Sequence, residues 1–426
     1  MRAIPLSPQW PRRRSSRPPR ARRRIMRWIN APTIGMTARG ARLYSVDVPP
    51  QTQGSSLKEI LRLLAVSATI GLTASSVFAQ GTASPAARAL HDRVLALDTH
   101  LDTTAKMDDP RWSVMDRHAV KDGQVDYPRM IEGGLDGGFW AIYTPQKGRT
   151  PADYQVARDN GLKRLINIHR MIAAHPDKLE LALTAADARR IAAAGKSVAF
   201  ISMENASPLT TDPVSLLRFY YSQGLRMMGL VHTSNNEFAD SANTPAEWQG
   251  ISPAGRELVA EANRLGIVLD QSHASNAVFD QLIELSKAPI ILSHSGASDV
   301  YLHPRNIDDA RLKKLAEKGG VIQMNALGAY LMDTRTRKAT LDDYLRHVEH
   351  VLELIGPDHV GFGADWDGGG GVEGLEDITG LPKITQWLVD KGYTEQQIAN
   401  IWGGNVLRVV EEAQRIAKTL QSPTTP

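Results

Sequence analysis

Histidine and acidic side chains stand at the ends of short apolar segments in this 426-residue chain. Six of eight such segments finish with a His, Asp or Glu, whereas independent placement would scatter these residues along the segments. If the segments are parallel strands of a barrel, their carboxyl ends meet at one face, where barrel enzymes build their active sites. The candidate residues, in chain order, are His100, Asp102, Glu204, His232, His273, His294 and Asp365.

These residues supply the nitrogen and oxygen donors that metal ions bind in hydrolases. A catalytic zinc site uses three protein ligands and a water molecule, so the chain offers more donors than one site needs. Two ions that share a carboxylate would use the whole set, and donors without sulfur favour Zn²⁺, with Mn²⁺ or Co²⁺ as alternatives. Two neighbouring ions can hold a hydroxide and polarise a carbonyl, which predicts a metal-assisted hydrolase. The predicted metal ligands are His100, Asp102, Glu204, His273 and His294, and Asp365 is the spare carboxylate for proton transfer.

The composition excludes several other functions. The chain has no cysteine, which excludes disulfides, thiol nucleophiles and cysteine-ligated metals. Its net charge of +4 comes from one end, because residues 1–79 hold 14 basic and 2 acidic side chains. The remaining residues include 36 basic and 44 acidic side chains, and this acidic balance argues against a nucleic-acid partner.

The N-terminal residues are typical of a targeting segment. Residues 55–79 combine a weakly basic start, a short apolar stretch and small residues before Gln80, as in a cleaved signal peptide. The apolar stretch is short for a membrane span, so we expect a secreted or periplasmic protein without a stable membrane anchor after cleavage. Residues 1–54 form a basic low-complexity extension, for which an over-long gene start is the simpler explanation. Residues 80–426 would then be the catalytic domain.

Alternating strands and helices predict the scaffold that brings the strand ends together. Continuous apolar strands that alternate with helices are typical of a buried parallel sheet. Eight such strands favour a (β/α)8 TIM-like barrel of class α/β over an open sheet. The glycine run Gly368–Gly371 follows the last strand and is interpreted as a loop. The predicted strands are 94–98, 138–143, 197–203, 224–231, 266–270, 289–292, 320–325 and 359–364, and the predicted helices include 154–174, 184–194, 253–265, 275–286, 308–318 and 341–355.

Several short motifs follow one another in a fixed order between Ala89 and Val410. They include DTHLD (98–102), GLRMMGLVH (224–232), DQSH (270–273), SHS (293–295), HPRN (303–306) and GFGADWDG (361–368). Their order and spacing together resemble the membrane (renal) dipeptidase family of zinc metallopeptidases. The resemblance implies a barrel of the metallo-dependent hydrolase type that cleaves dipeptides and tolerates a D-residue at the C-terminal position. Members of this family are often dimers, so the resemblance is also compatible with a homodimer.

The resemblance implies a metal-binding role for five residues. His100 and Asp102 would bind one zinc ion, and His273 and His294 would bind the second. Glu204 would bridge the two ions. The resemblance therefore assigns to two zinc ions the same donor set that the strand ends indicate.

The resemblance also implies roles in substrate binding and proton transfer. His232 would contact the substrate and steady the tetrahedral intermediate, and Asp365 would protonate the leaving amine. Arg305 would pair with the terminal carboxylate of the substrate, a role that suits a guanidinium fork. Asp98 and Asp270 are further candidates, as carboxylates that orient the imidazoles of the metal ligands.

The chain departs from the family pattern at three places. Family members often have Gly-Val-Glu-Gly around the bridging glutamate, whereas this chain has SMEN at 202–205. Residues 296–301 differ from the arginine-bearing version of bacterial relatives, and residues 325–327 lack an aromatic that some members carry. These departures bear on substrate specificity more than on metal binding.

Two other functions fit parts of the sequence. Another binuclear-metal amidohydrolase, acting on N-acyl amino acids, cyclic amides or lactones, would share the barrel. That group commonly begins with His-x-His and often bridges its metals with a modified Lys, where this chain has His100-x-Asp102 and Glu204. A periplasmic binding protein that has lost catalysis would lack a ligand or Asp365, and none is missing. The predicted function is therefore a zinc-dependent dipeptidase that works through a metal-bridging hydroxide.

Overall fold

A nearly closed barrel of eight parallel strands forms the centre of the structure, a computed structural model that describes residues 82–145 and 148–422. The extension 1–54 and the predicted signal peptide 55–79 lie outside the described residues. The strands are β1 (Leu97–Leu101), β2 (Gly137–Tyr143), β3 (Leu179–Leu181), β4 (Ser197–Glu204), β5 (Leu225–Gly229), β6 (Val268–Asp270), β7 (Ile291–Ala297), β8 (Asn306–Ile307), β9 (Val321–Met324) and β10 (Val360–Phe362). The barrel order is β1-β2-β4-β5-β6-β7-β9-β10, while β3 pairs with β4 and β8 with β7 outside this path.

The barrel is held together where its first and last strands meet. Leu101 forms a parallel bridge with Trp366, just beyond β10. The buried Asp98 carboxylate accepts hydrogen bonds from the backbone N–H of His100 (2.8 Å) and of Ala364 (3.0 Å). Asp98 therefore orients backbone and not an imidazole, contrary to the prediction, because its oxygens satisfy N–H groups that the sheet leaves unpaired at this seam.

Helices connect the strands, and most begin with a side-chain cap. Ser252, for example, accepts a hydrogen bond from Gly255 N (3.0 Å), and Gly266 ends the same helix with a left-handed φ of 79°. Within the described ranges, no helix is both long and apolar enough to cross a bilayer. The α-helices are α1 (Pro85–His91), α2 (Tyr127–Gly133), α3 (Pro151–Ala174), α4 (Ala185–Ala193), α5 (Pro213–Ser222), α6 (Pro253–Leu265), α7 (Asn276–Leu285), α8 (Asp309–Glu317), α9 (Gly328–Leu331), α10 (Leu341–Ile355), α11 (Leu381–Asp390), α12 (Glu395–Ala399) and α13 (Asn405–Gln421).

The two ends of the barrel differ in chemistry. Residues near the start of several strands, including Leu97, Val198 and Val268, form one buried apolar cluster with Val406 and Val410 of α13. This cluster fills the amino-terminal end of the barrel, where burial of apolar side chains stabilises the fold. The polar side chains predicted to carry the chemistry are therefore left to the carboxyl-terminal end.

The predicted scaffold is confirmed in class and in order. Eight strands follow the predicted sequence around a parallel barrel, and every helix predicted by range is present. The first strand begins at Leu97, three residues after its predicted start, because its pairing with β2 begins there. The sequence analysis missed β3 and β8, which have only three and two residues and pair at the margin of the barrel.

Candidate metal centre

Glu204, the last residue of β4, lies at the centre of a cluster of imidazole rings. Its Oε1 lies 2.8 Å from His273 Nε2 and 3.5 Å from both His294 Nε2 and His232 Nε2. The other carboxylate oxygen, Oε2, lies 3.5 Å from His100 Nε2. One carboxylate is therefore shared by rings that come from four different strand ends.

Two further carboxylates approach His100 from the seam of the barrel. His100 Nε2 lies 3.5 Å from Asp102 Oδ2 and 4.0 Å from Asp365 Oδ1. All seven residues predicted from the strand ends thus meet in one cluster. Three overlapping groups have donor atoms within 4.8 Å of one another: His100, Glu204 and His294; Glu204, His232 and His273; and His100, Asp102 and Asp365.

The buried polar atoms of this cluster fit a metal cofactor. His100 Nε2, Asp102 Oδ1 and Glu204 Oε2 are buried and have no hydrogen-bond partner among the described residues. Buried polar atoms nearly always have a partner, so three orphaned donor atoms in one cluster indicate a ligand. Asp102, Glu204 and Asp365 are all buried, and cations between them would offset their mutual repulsion.

Burial moves the pKa values of two imidazoles, His273 and His294, and of Asp365 in opposite directions. Burial holds the pKa of His273 and of His294 well below the usual value. These rings are therefore neutral, which is the form that binds metals. Burial, together with the negative charges of Asp102 and Glu204, raises the pKa of Asp365 to about 8. A bound cation would lower that pKa again, because it favours the charged carboxylate.

Three residues of the site have a left-handed backbone that non-glycine residues rarely adopt. The φ angles are 71° at His273, 68° at Asp365 and 73° at Asn205, next to Glu204. Asn205 stands where family members often have glycine, and asparagine is among the side chains that best tolerate this conformation. Its Oδ1 accepts from Ser207 Oγ (2.8 Å) and its Nδ2 donates to Thr144 O (3.0 Å), so the turn after Glu204 is kept.

Arg305 lies beside the cluster, where two residues that the sequence analysis did not assign also line the site. Its side chain is buried, its Nη2 donates to His294 O (3.3 Å), and its guanidinium lies 5.3 Å from the centre of the Tyr330 ring. Asn325 donates from Nδ2 to Asp365 Oδ2 (3.4 Å). Asn325 ends a predicted strand, so the strand-end rule could have found it, whereas no local pattern marks Tyr330.

Gly368, the first residue of the glycine run, packs directly on two carboxylates. A Cβ atom at this position would lie 2.3 Å from both Asp102 Oδ2 and Asp365 Oδ1. The run lies in a loop, as predicted, and its first glycine leaves room for the carboxylates of the site.

We expect Gly368→Ala to weaken metal binding about tenfold or more, because the added methyl must displace Asp102 or Asp365. Metal affinity measured by chelator competition checks this result. Gly229→Ala is the matched control, since a Cβ there would meet no atom closer than 3.7 Å. Equal metal affinity in the Gly368→Ala variant and the parent protein would contradict the packing argument.

The chain is similar to known dipeptidases in sequence and in fold. A model of the membrane dipeptidase family, peptidase family M19, matches residues 85–424. Dipeptidase aclJ of Aspergillus oryzae is 35% identical over 307 residues, covering 70% of this chain and 72% of that protein. The probable dipeptidase PvdM from Pseudomonas aeruginosa superposes with a TM-score of 0.71 at 27% identity, covering 78% of this chain and 98% of that chain. A metallo peptidase from Rhodobacter sphaeroides, liganded with a phosphinate mimic of L-Ala-D-Ala, gives a TM-score of 0.68 at 29% identity, with 75% and 99% covered.

Proposed function

We propose that this protein is a dipeptidase that works with two zinc ions. The chain belongs to the membrane dipeptidase family, peptidase family M19, and is therefore a dipeptidase with a metal cofactor. The proposed substrates are dipeptides with a free terminal carboxylate, including dipeptides with a D-residue at the C-terminal position. The solved relative that holds a mimic of L-Ala-D-Ala supports this tolerance.

The central position of Glu204 is the observation that carries the proposal. His100 lies nearest Oε2 of its carboxylate, with Asp102 3.5 Å from the same ring, whereas His273 and His294 lie nearest Oε1. This arrangement supports two ions with Glu204 between them, and Mn²⁺ or Co²⁺ would suit the same donors. When bound, the ions supply Lewis acidity toward the peptide carbonyl and a water molecule that ionises near neutral pH.

We assign the proton transfer to Asp365 and a substrate contact to His232. Asn325 holds Asp365 at the edge of the metal ligands, where its carboxyl group can pass a proton to the leaving amine. The His232 side chain keeps 16% of its surface exposed, whereas those of His100, His273 and His294 keep between 1% and 6%. This exposure supports a substrate contact, although His232 Nε2 also lies within reach of Glu204. Burial lowers the pKa of His232, so a neutral ring can donate a hydrogen bond to the carbonyl oxygen.

The surroundings of Arg305 support its role in binding the substrate carboxylate. The guanidinium is buried, and no ion pair with an aspartate or glutamate is formed within the part of the chain that the structure describes. An unpaired buried cation is costly, whereas a substrate carboxylate would give it a two-pronged partner. The guanidinium carbon of Arg305 lies over the Tyr330 ring, 5.3 Å from its centre, where a cation–π contact favours the charged side chain.

We expect Arg305→Met to raise KM for a free dipeptide about 10- to 100-fold, because charge-assisted hydrogen bonds to the carboxylate are lost. Arg305→Lys should recover part of this loss, since it keeps the charge but not the fork. The decisive comparison uses the matching dipeptide amide, which has no terminal carboxylate. The parent enzyme should prefer the free acid, and the Met variant should lose that preference. An unchanged ratio of kcat/KM for acid and amide in the variant would refute the assignment.

A substrate panel and metal analysis test the proposed function. Purified enzyme should contain two zinc ions per chain and should cleave both L-Xaa-L-Xaa and L-Xaa-D-Xaa dipeptides. N-acyl amino acids, cyclic amides and lactones belong in the same panel, because the alternative amidohydrolase function predicts their hydrolysis instead. A zinc-loaded, folded enzyme that cleaves those compounds and no dipeptide would overturn the proposal.

We further propose that the enzyme acts in the periplasm or outside the cell and forms a homodimer. The signal-like residues 55–79 support export. N-terminal sequencing of the mature protein should find a start near Gln80. Light scattering would test the homodimer, for which the support is resemblance to the family.

A further inference from the structure

Ser293 links the metal-ligand candidate His294 to a buried carboxylate. The Ser293 hydroxyl lies 2.5 Å from Asp270 Oδ2 and 2.8 Å from His294 Nδ1. Asp270 Oδ1 accepts from the backbone N–H groups of Ser272 and Ser293, both at 2.9 Å. All of these groups are buried, so a chain of hydrogen bonds runs from Asp270 through Ser293 to the ring.

The directions of these hydrogen bonds follow from the number of protons available. An ionised carboxylate only accepts hydrogen bonds, so Asp270 must receive the single hydroxyl proton of Ser293. Ser293 Oγ can then only accept from His294, which requires that the proton of the neutral imidazole sits on Nδ1. The lone pair of Nε2 is thereby left facing His273 Nε2 (2.8 Å) and Glu204 Oε1 (3.5 Å).

We propose that Ser293 and Asp270 are positioning residues that hold His294 in the tautomer with a proton on Nδ1, ready to bind a metal through Nε2. This inference rests on the proposed two-metal function. The inference applies to His294 and not to His273, because His273 Nδ1 has no hydrogen-bond partner among the described residues that could fix its tautomer. The partners around a metal ligand fix its orientation and raise its basicity, so their loss weakens metal binding.

Three substitutions separate this role from simple packing. Ser293→Ala removes the hydroxyl that accepts from the ring. Asp270→Asn keeps an oxygen for the backbone N–H groups but can donate to Ser293, which would turn the hydroxyl proton toward His294 and favour the wrong tautomer. Ser272→Ala is the matched control, because it removes a buried hydroxyl that contacts the backbone N of His294 (3.0 Å) and not its ring.

Zinc affinity measured by chelator competition is the first readout. We expect Ser293→Ala and Asp270→Asn to bind one of the two ions about 10- to 100-fold more weakly than the parent protein. Ser293→Thr, which restores a hydroxyl, should recover most of this loss, and Ser272→Ala should lower thermal stability without weakening zinc binding. If Ser293→Ala and Asp270→Asn bind both ions as tightly as the parent does, the positioning role is refuted while the proposed function stands.

Nitrogen NMR of histidine-labelled, metal-free protein is the second readout, and it is independent of metal binding. In the parent protein the His294 signals should report a proton on Nδ1, and in Asp270→Asn they should report a proton on Nε2. A His294 ring that carries its proton on Nε2 in the parent would overturn the inference. A parent protein that shows the expected tautomer but binds no zinc would instead refute the proposed function.

Discussion

Glu204→Ala should remove at least one of the two metal ions and lower kcat for dipeptide hydrolysis about 10³-fold or more, which is about 4 kcal/mol of barrier. The carboxylate lies within 3.5 Å of four imidazole Nε2 atoms, so its loss removes the group shared by both sides of the site. Without Glu204, each ion would keep fewer protein ligands than the three that a catalytic zinc site uses. At least one ion should therefore bind much more weakly than in the parent protein.

Elemental analysis and steady-state kinetics measure the two effects on the same preparation. Glu204→Gln keeps the size of the side chain but removes its charge, and should therefore show a smaller loss of metal than Glu204→Ala. Glu247→Ala is the control, since Glu247 pairs with Arg149 in an exposed ion pair and should leave the metal content unchanged. A Glu204→Ala variant that retains two ions per chain would refute the bridging role.

Asp365→Asn should lower kcat by about 10²- to 10⁴-fold while both metal ions stay bound. Asparagine can still accept the hydrogen bond from Asn325, and it tolerates the left-handed φ of 68°, so the fold should be retained. It cannot deliver a proton to the leaving amine as a carboxylic acid does. The expected signature is therefore slow turnover with normal metal content, in contrast to Glu204→Ala.

Asp367→Asn provides a closely matched control for Asp365→Asn. Asp367 lies two residues later with a similar φ of 63°, but its carboxylate accepts from Thr103 Oγ1 (2.7 Å) and Gln124 N (2.9 Å). We therefore expect the Asp367 variant to affect stability more than kcat. If Asp365→Asn turned over dipeptides at the parental rate with a full metal content, another group would have to supply the proton.

The barrel and the cluster could be predicted because each depends on a repeated local signal. Apolar strands alternate with helices along the whole chain, and the carboxyl ends of parallel strands meet at one face whatever the details of each connection. The strand pattern therefore predicts that residues as distant in sequence as His100 and Asp365 lie close together. In the structure, His100 Nε2 lies 4.0 Å from Asp365 Oδ1. The solved relatives confirm the barrel.

The parts that escaped prediction depend on tertiary contacts without a local pattern. The strand β7 continues through Ser293, His294 and Ser295, whereas the predicted strand ended at residue 292. These polar residues do not fit an apolar strand pattern, because their hydrogen-bond partners Asp270 and Ser272 lie at the end of another strand. Tyr330 reaches Arg305 from a short helix whose position is set by the loops around it. Gly368 matters through the two carboxylates that it touches, which a glycine run alone does not reveal.

The most direct test of the account is dipeptide hydrolysis by the purified enzyme before chelation, after removal of metal and after addition of two equivalents of zinc. A dipeptide with a free carboxylate should be cleaved by the untreated enzyme, resist the metal-free enzyme, and be cleaved again once zinc is restored. Far-UV circular dichroism should show that the barrel survives each step. Undiminished cleavage by metal-free, folded enzyme would contradict the account, because the buried carboxylates and imidazoles around Glu204 would then need another function.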